Sequence, residues 1–516
     1  MNLIVFVFFL ICYFYLLFKI AHFFVGKGSD HSFYEFYTLL IKKNKNNFFF
    51  YYPNFLNKMP IVDPQFFFKI LSYFSKGQLK KVAFLLNPII LSLLLVVSFL
   101  MFNYNFKDLN FFILILIFFI SFTPHFFHQQ NSRIYGLSVR GVGLLLILIF
   151  FWSFFLIQYS NNNLTYILIS LFTGYLIWGS NLFAQQSVVF SSFLWFFIFG
   201  DPMMLILITS SLFALYVFHP SYTKIFLKTR INYGKIYFSV LSEKFLFNYR
   251  YSIWRDWIYD FWFKKEKSLI TKLSYIYNNS IFIVVFLNPL FLLAVYSYFN
   301  PIILDDYYFN EIYLFSTKIS LIAFVIFLCT SLRLGRFLGE PERYIEAVIP
   351  FSTFVSCIFI FSIENSFYAY FIIAYFIGLN IFQILTFVFF RKFHPQDITK
   401  HLTLILKTVN QRSKDGVEIR FTSNNMDWTK FLLNPNWKFV NYIPVVDKCG
   451  SVFLKDLVDN YPFINSNSFQ TISNEFNLNF LLIDKTLKFD YSCYLKNPKS
   501  YKILIEKKSF LLIEKK

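Results

Sequence analysis

Asp30, His31 and Glu35 are the residues whose types and spacing come nearest to chemistry, in GKGSDHSFYEF just past an apolar first segment. If this stretch is helical, His31 and Glu35 stand four apart and share a face. A carboxylate near the low-dielectric membrane boundary can act as general base toward an acceptor hydroxyl. It can also hold a divalent cation, such as magnesium or manganese, against a phosphate. The plainer alternative is helix capping, because Ser29 and Asp30 precede a helical stretch and Asp is a favoured N-cap.

Three other stretches carry polar side chains in suggestive patterns. RLGRFLGEPERYIEA sets Arg333, Arg336, Glu340, Glu342, Arg343 and Glu346 between two apolar segments, with Gly335, Gly339 and Pro341 turning the chain among them. Arginine recognises phosphate with a two-pronged fork, which makes Arg336 and Arg343 candidates for a substrate phosphate. The alternative is that these charges only pair with one another. HFFHQQNSRIYGLSVRG carries His125, His128, Arg133 and Arg140. Two histidines three apart can ligate a metal, but no third ligand is evident. A loop with basic anchors is the simpler account, and Arg140 joins the candidates for phosphate. WGSNLFAQQS holds Trp178, Asn181, Gln185 and Gln186, which either line a polar cavity or form a short turn.

The frame that must position these residues is a membrane one. Of 516 residues 57% are hydrophobic and only 15% charged, against about 25% charged in soluble domains. Apolar segments near 2–25, 82–102, 109–127, 142–158, 164–181, 187–200, 203–218, 280–299, 313–331, 348–363 and 367–390 predict about eleven spans. The fold class expected is therefore mainly α, a polytopic transmembrane bundle over 1–390 followed by a small C-terminal α/β domain over 391–516. The first segment lacks a basic n-region and a small-residue cleavage site, so it reads as a retained helix.

Net charge is +20. The cations flank apolar spans, and no zinc spacing, Walker loop or RNA-binding signature accompanies them, so membrane headgroups or an anionic lipid-linked substrate fit and nucleic acid does not. Loop Lys and Arg gather in the first (26–81), third (128–141), seventh (219–279) and ninth (332–347) connections, with Lys107 the exception elsewhere. One membrane face is thus basic, and an odd span count puts the tail on it too. In the seventh connection, WRDWIYDFWF with Trp254, Trp257 and Trp262 predicts amphipathic helices at headgroup level. In the tail, Val417–Phe421 and Phe480–Ile483 read as strands, Ser468–Asn477 as a helix, and Tyr501–Ile505 with Phe510–Ile513 as a closing pair. Cys449 and Cys493 are near enough in sequence to pair only if their geometry allows.

These pieces, in this order, resemble the GT-C glycosyltransferases, polytopic enzymes that use polyprenyl-phosphate-linked sugars. DHSFYEFYTLLIKKNKNNFFFYYPNF resembles their first large loop, with an acidic residue and then an extended aromatic and proline run, here Tyr51-Tyr52-Pro53-Asn54. ISNEFNLNFLLIDK and SYKILIEKKSFLLIEKK look like the helix-then-strand and the terminal strand pair of their extracytoplasmic domains. FLGEPERYIE is similar to stretches in membrane proteins of surface-polysaccharide synthesis.

The resemblance implies an integral membrane glycosyltransferase of the bacterial inner membrane, acting in cell-surface polysaccharide or glycolipid synthesis. Asp30 would be the catalytic carboxylate, with Glu35 and His31 beside it, and Arg336, Arg343 and Arg140 would hold the phosphate. Its partners would be membrane lipid, a polyprenyl-phosphate sugar donor and a glycan or lipid acceptor. The chain departs from the pattern in one respect: Asp30 is followed by His31 rather than by a second acid. The family's orientation puts the loop and tail outside the cytoplasm, whereas the positive-inside rule puts the basic face within. Two other readings fit the same composition: a transporter or polymerase-like protein handling lipid-linked glycans, and a non-catalytic membrane scaffold.

Overall fold

The computed structural model describes residues 2–24, 29–44, 52–56, 64–103, 110–127, 135–160, 163–236, 279–332, 335, 338, 341–363, 366–392, 396–425, 434–440, 463–487 and 489–516. Arg336, Arg333, Gly339, Glu340, His128, Arg133, Cys449 and the Trp254–Trp262 run lie outside the described residues, so the expectations on them are not met by any structural fact.

A helix stands at each of the eleven apolar segments, and the count of eleven spans is not confirmed. Among the described residues six helices are long and apolar enough to cross a bilayer, or seven if Ser280–Leu287 and Pro289–Phe299, bent by 74° at their junction, form one broken span. The physical reason is length. Phe112–Ser121, Met203–Phe218 and Ile349–Phe361 are apolar but fall short of a full crossing. Large apolar side chains point outward along the bundle, among them Phe8 at 68%, Phe197 at 74% and Phe367 at 72% exposure, as lipid-facing positions do.

The early helices are α1 (Asn2–Phe24), α2 (Ser29–Lys43), α3 (Phe66–Leu71), α4 (Lys76–Asn103), α5 (Asn110–Ser121), α6 (Pro124–Phe127), α7 (Arg140–Tyr159), α8 (Asn163–Ser180), α9 (Leu182–Phe199), α10 (Met203–Phe218) and α11 (Pro220–Ile236). Helix α7 sits inside the bundle. Ile147, Phe150, Phe151 and Phe154 are fully buried at helical spacing, and α7 packs on α4, α8 and α9. Small residues let helices approach: Ser153 Oγ lies 2.6 Å from Ser170 Oγ of α8. With little hydrophobic driving force between helices in lipid, such close packing holds the bundle together.

The C-terminal region carries a five-stranded sheet of order β2-β1-β3-β5-β4. Its strands are β1 (Arg420–Ser423), β2 (Lys438–Phe439), β3 (Phe480–Asp484), β4 (Tyr501–Glu506) and β5 (Phe510–Lys515). β2 and β3 run parallel to β1, while β5 lies antiparallel to β3 and β4. Every residue of FLLID in β3 is buried, which is why that run is continuously apolar rather than alternating. The helix expected at Ser468–Asn477 forms at Ser466–Glu475, capped by the Asn465 side chain accepting from Ser468 N at 2.8 Å. The first strand starts at Arg420 rather than Val417, because a helix reaches Lys414 and Gly416 then turns the chain at φ +84°.

The edge strand β2 is covered by the first loop. Phe55 pairs with Phe439 as a parallel bridge. Leu56 N donates to Phe439 O and Phe439 N to Asn54 O, both at 2.7 Å. Asn54 Nδ2 donates to the carbonyls of Pro435 and Trp437, each at 2.7 Å. An exposed row of backbone groups is thereby satisfied, and the loop that follows α2 is tied to the sheet.

Candidate functional site

Helix α2 is amphipathic, with Phe36, Tyr37, Leu40 and Ile41 buried on one side. Asp30 falls in its first turn, and the Asp30 side chain lies outside the described residues. His31 is buried, and its Nδ1 accepts the N–H of Leu137 at 3.3 Å. That nitrogen is therefore unprotonated, and the neutral ring carries its proton on Nε2, 4.0 Å from Glu35 Oε2. Burial lowers the His31 pKa from its ordinary value, and the Glu35 carboxylate partly offsets this. The ring so held is a latch between α2 and the segment before α7.

The latch makes stability depend on pH in a definite direction. A depressed native pKa means that the neutral-ring interaction is fully present above the unfolded value of about 6.5. It is lost as pH falls through that value toward the lower native one. Thermal midpoints measured in detergent across pH 7.5 to about 5 should fall on the acid side in the wild type, and His31→Gln should lack that component.

The partner segment is pinned from other sides too. Asn87 Nδ2 of α4 donates to Gly136 O at 2.9 Å, and Asn181 Nδ2 donates to Val139 O at 2.9 Å. Asn181 also caps α9, its Oδ1 accepting from Ala184 N, and Gln185 Nε2 donates to Trp178 O at 2.7 Å. The WGSNLFAQQS stretch is thus a turn whose amides hold a neighbouring loop. Gly136 adopts φ +95°, and a Cβ there would sit 2.7 Å from His31 Nδ1. Gly136→Ala should therefore lose about 1–3 kcal/mol of stability, measured as a lower thermal midpoint. Gly77→Ala, in an open helical position, serves as the control and should lose nothing.

Immediately after this segment Arg140 opens α7. Its Nε donates to Glu346 Oε2 at 3.2 Å and its Nη2 to Glu346 Oε1 at 2.5 Å, with both side chains buried. Among the described residues the third guanidinium nitrogen, Nη1, is buried without a hydrogen-bond partner. Glu346 belongs to the short helix Glu342–Glu346. One turn earlier, Glu342 Oε2 accepts from Ser280 Oγ at 2.5 Å. Arg343, between the two acids, lies over the Phe183 ring at 5.8 Å.

These contacts gather much of what the sequence singled out. Loop one meets loop three through His31 and Leu137, loop three meets loop nine through Arg140 and Glu346, and loop nine meets the end of loop seven through Glu342 and Ser280. The first loop meets the tail through Asn54. Described residues of the first, third and ninth connections and of the tail thus touch one another, and the start of the seventh meets the first where Phe66 lies 5.9 Å from Tyr222. Arg343 stacks on an aromatic ring, and Arg140 is already forked onto a carboxylate. His125 Nδ1 faces Asn288 Nδ2 at 3.2 Å, at the break between Ser280–Leu287 and Pro289–Phe299, and its expected companion His128 lies outside the described residues. Among the described residues no three His, Cys, Asp or Glu side chains gather to hold a metal. Asn87 and the partnership of Glu346 with Arg140 escape sequence reading. A lone Asn inside an apolar run was the only available signal for the first.

No family model matches the chain, and no curated protein matches it in sequence. Among solved structures it is similar to the crystal structure of ArnT from Cupriavidus metallidurans bound to undecaprenyl phosphate, with a TM-score of 0.53 and 10% sequence identity, over 98% of this chain and 97% of that one. The chain is an integral, multi-pass membrane protein that shares its fold with that structure.

Proposed function

We propose that this protein is a membrane glycosyltransferase that takes a sugar from a polyprenyl-phosphate-linked donor, in cell-surface polysaccharide or glycolipid synthesis at the bacterial inner membrane. The observation that carries this reading is the match in fold along nearly the whole chain to a structure holding undecaprenyl phosphate. Two features support it: α2 bears an acidic residue just after the first span, and among the described residues a buried arginine has an unpartnered Nη1.

In the proposed reaction the acceptor hydroxyl attacks the anomeric carbon. Its O–H proton passes to the Asp30 carboxylate, a bond forms from the acceptor oxygen to that carbon, and the bond from carbon to phosphate oxygen breaks. The polyprenyl phosphate leaves with the bonding electrons. Arg140 Nη1 and the guanidinium groups of Arg343 and Arg336 hold the phosphate, and stabilising the charge that grows there is the main contribution to rate. Glu35 holds the His31 latch and stands in reserve as a second carboxylate. No step is routed through a metal ion.

The test uses the purified full chain in proteoliposomes. Undecaprenyl phosphate should raise its thermal midpoint, and a panel of undecaprenyl-phosphate donors carrying radiolabelled hexoses or pentoses should lose label to endogenous glycolipid acceptors. Absence of both binding and label transfer across the panel would remove the reading.

A further inference from the structure

We propose that α3, the first turns of α4 and α11 form a single shelf that docks anionic phospholipid headgroups of the surrounding bilayer. The inference does not rest on the glycosyltransferase reading. The elements are joined by Phe66 at the start of α3, whose ring lies 5.2 Å from His219 and 5.9 Å from Tyr222. Gln65 N donates to Tyr222 Oη at 3.4 Å. Gly179 of α8 leaves the ring its place, since a Cβ there would collide with it.

The outward side of the shelf is apolar and basic together. Ile70 is 60% and Tyr73 70% exposed, and Lys76, Lys80 and Lys81 of α4 and Lys224 of α11 are exposed, with Lys224 Nζ 5.7 Å from the Tyr216 ring. From residue 64 to 103 and from 202 to 236 the chain has no Asp or Glu, so these elements bring no carboxylate of their own to neutralise the lysines.

Depth follows from the neighbouring helices. α4 continues directly into the apolar span Lys76–Phe102, and α11 begins two residues after the apolar helix Met203–Phe218 ends. The shelf therefore stands at the boundary of the hydrocarbon. There the isoleucine and tyrosine can enter the acyl edge while the ammonium groups meet phosphates. A bilayer lipid of net negative charge fits both halves of this surface. The shelf also reaches α2, because Lys42 Nζ donates to Phe74 O at 2.9 Å, so a docked lipid would steady the end of that helix.

The test compares the full chain in nanodiscs of phosphatidylcholine alone and of phosphatidylcholine with phosphatidylglycerol. Native mass spectrometry counts the retained phosphatidylglycerol, and the thermal midpoint is read in parallel. The wild type should retain phosphatidylglycerol over phosphatidylcholine, and its extra thermal stability in the mixed disc should shrink in 0.5 M salt. Lys76→Gln, Lys80→Gln, Lys81→Gln and Lys224→Gln should each cut the preference about fivefold. No preference in the wild type would overturn the proposal, as would a preference unmoved by salt or by all four substitutions. The wild-type salt series decides the matter even if one of these variants fails to fold.

Discussion

Glu346→Gln should destabilise the protein by about 3–5 kcal/mol, because it leaves the Arg140 charge buried without its counter-ion. Both side chains are buried and joined by two hydrogen bonds, so water cannot replace the lost partner. Arg140→Met should cost a similar amount by stranding the Glu346 carboxylate. The paired change Arg140→Met with Glu346→Leu removes both charges and keeps the volume, and most of the lost stability should return. Unfolding followed in detergent by intrinsic tryptophan fluorescence measures all three. If the paired variant is as unstable as the single ones, the ion pair is not the source of the loss. The same paired variant separates structure from chemistry: on the proposed function it folds, yet binds undecaprenyl phosphate weakly, since the unpartnered Nη1 has gone.

Asp30→Asn should lower sugar transfer about 10²–10⁴-fold, the usual range for removing a general base, with little change in thermal midpoint. The choice of replacement matters. Asp30 stands inside the first turn of α2 rather than before it, and Asn and Ser keep a side-chain oxygen able to accept from a free backbone N–H at a helix start while abolishing the carboxylate. A protein in which Asp30 only caps the helix would keep full activity with either substitution and lose stability with Asp30→Ala. Glu35→Gln should have a smaller effect on rate and act through the latch, shifting the acid-side stability of the His31 contact. Full transfer by Asp30→Asn would remove the proposed mechanism.

The parts of this protein that were legible in the sequence are those written in local pattern. FLLID reads as a buried strand because its apolar run is continuous. The closing pair at Tyr501–Glu506 and Phe510–Lys515 is legible because a charged EKKS break separates two apolar stretches. The basic connections predicted a shared face; described residues of the first, third, seventh and ninth connections and of the tail do make contacts with one another. The count of spans was less legible, since an apolar run does not say whether Asn288 will break it or whether a helix will stop short of a full crossing.

What the chain alone determined is therefore the membrane class and the strands of the tail. These follow from hydropathy and periodicity within a few turns of backbone. What only the tertiary structure decided is which polar groups meet. His31 and Leu137 are 106 residues apart, Arg140 and Glu346 206, and Asn54 and Trp437 383. A carboxylate in a loop carries no local mark of the arginine it will pair with. That choice is made when burial removes water and leaves each polar group only the partners that packing brings within reach.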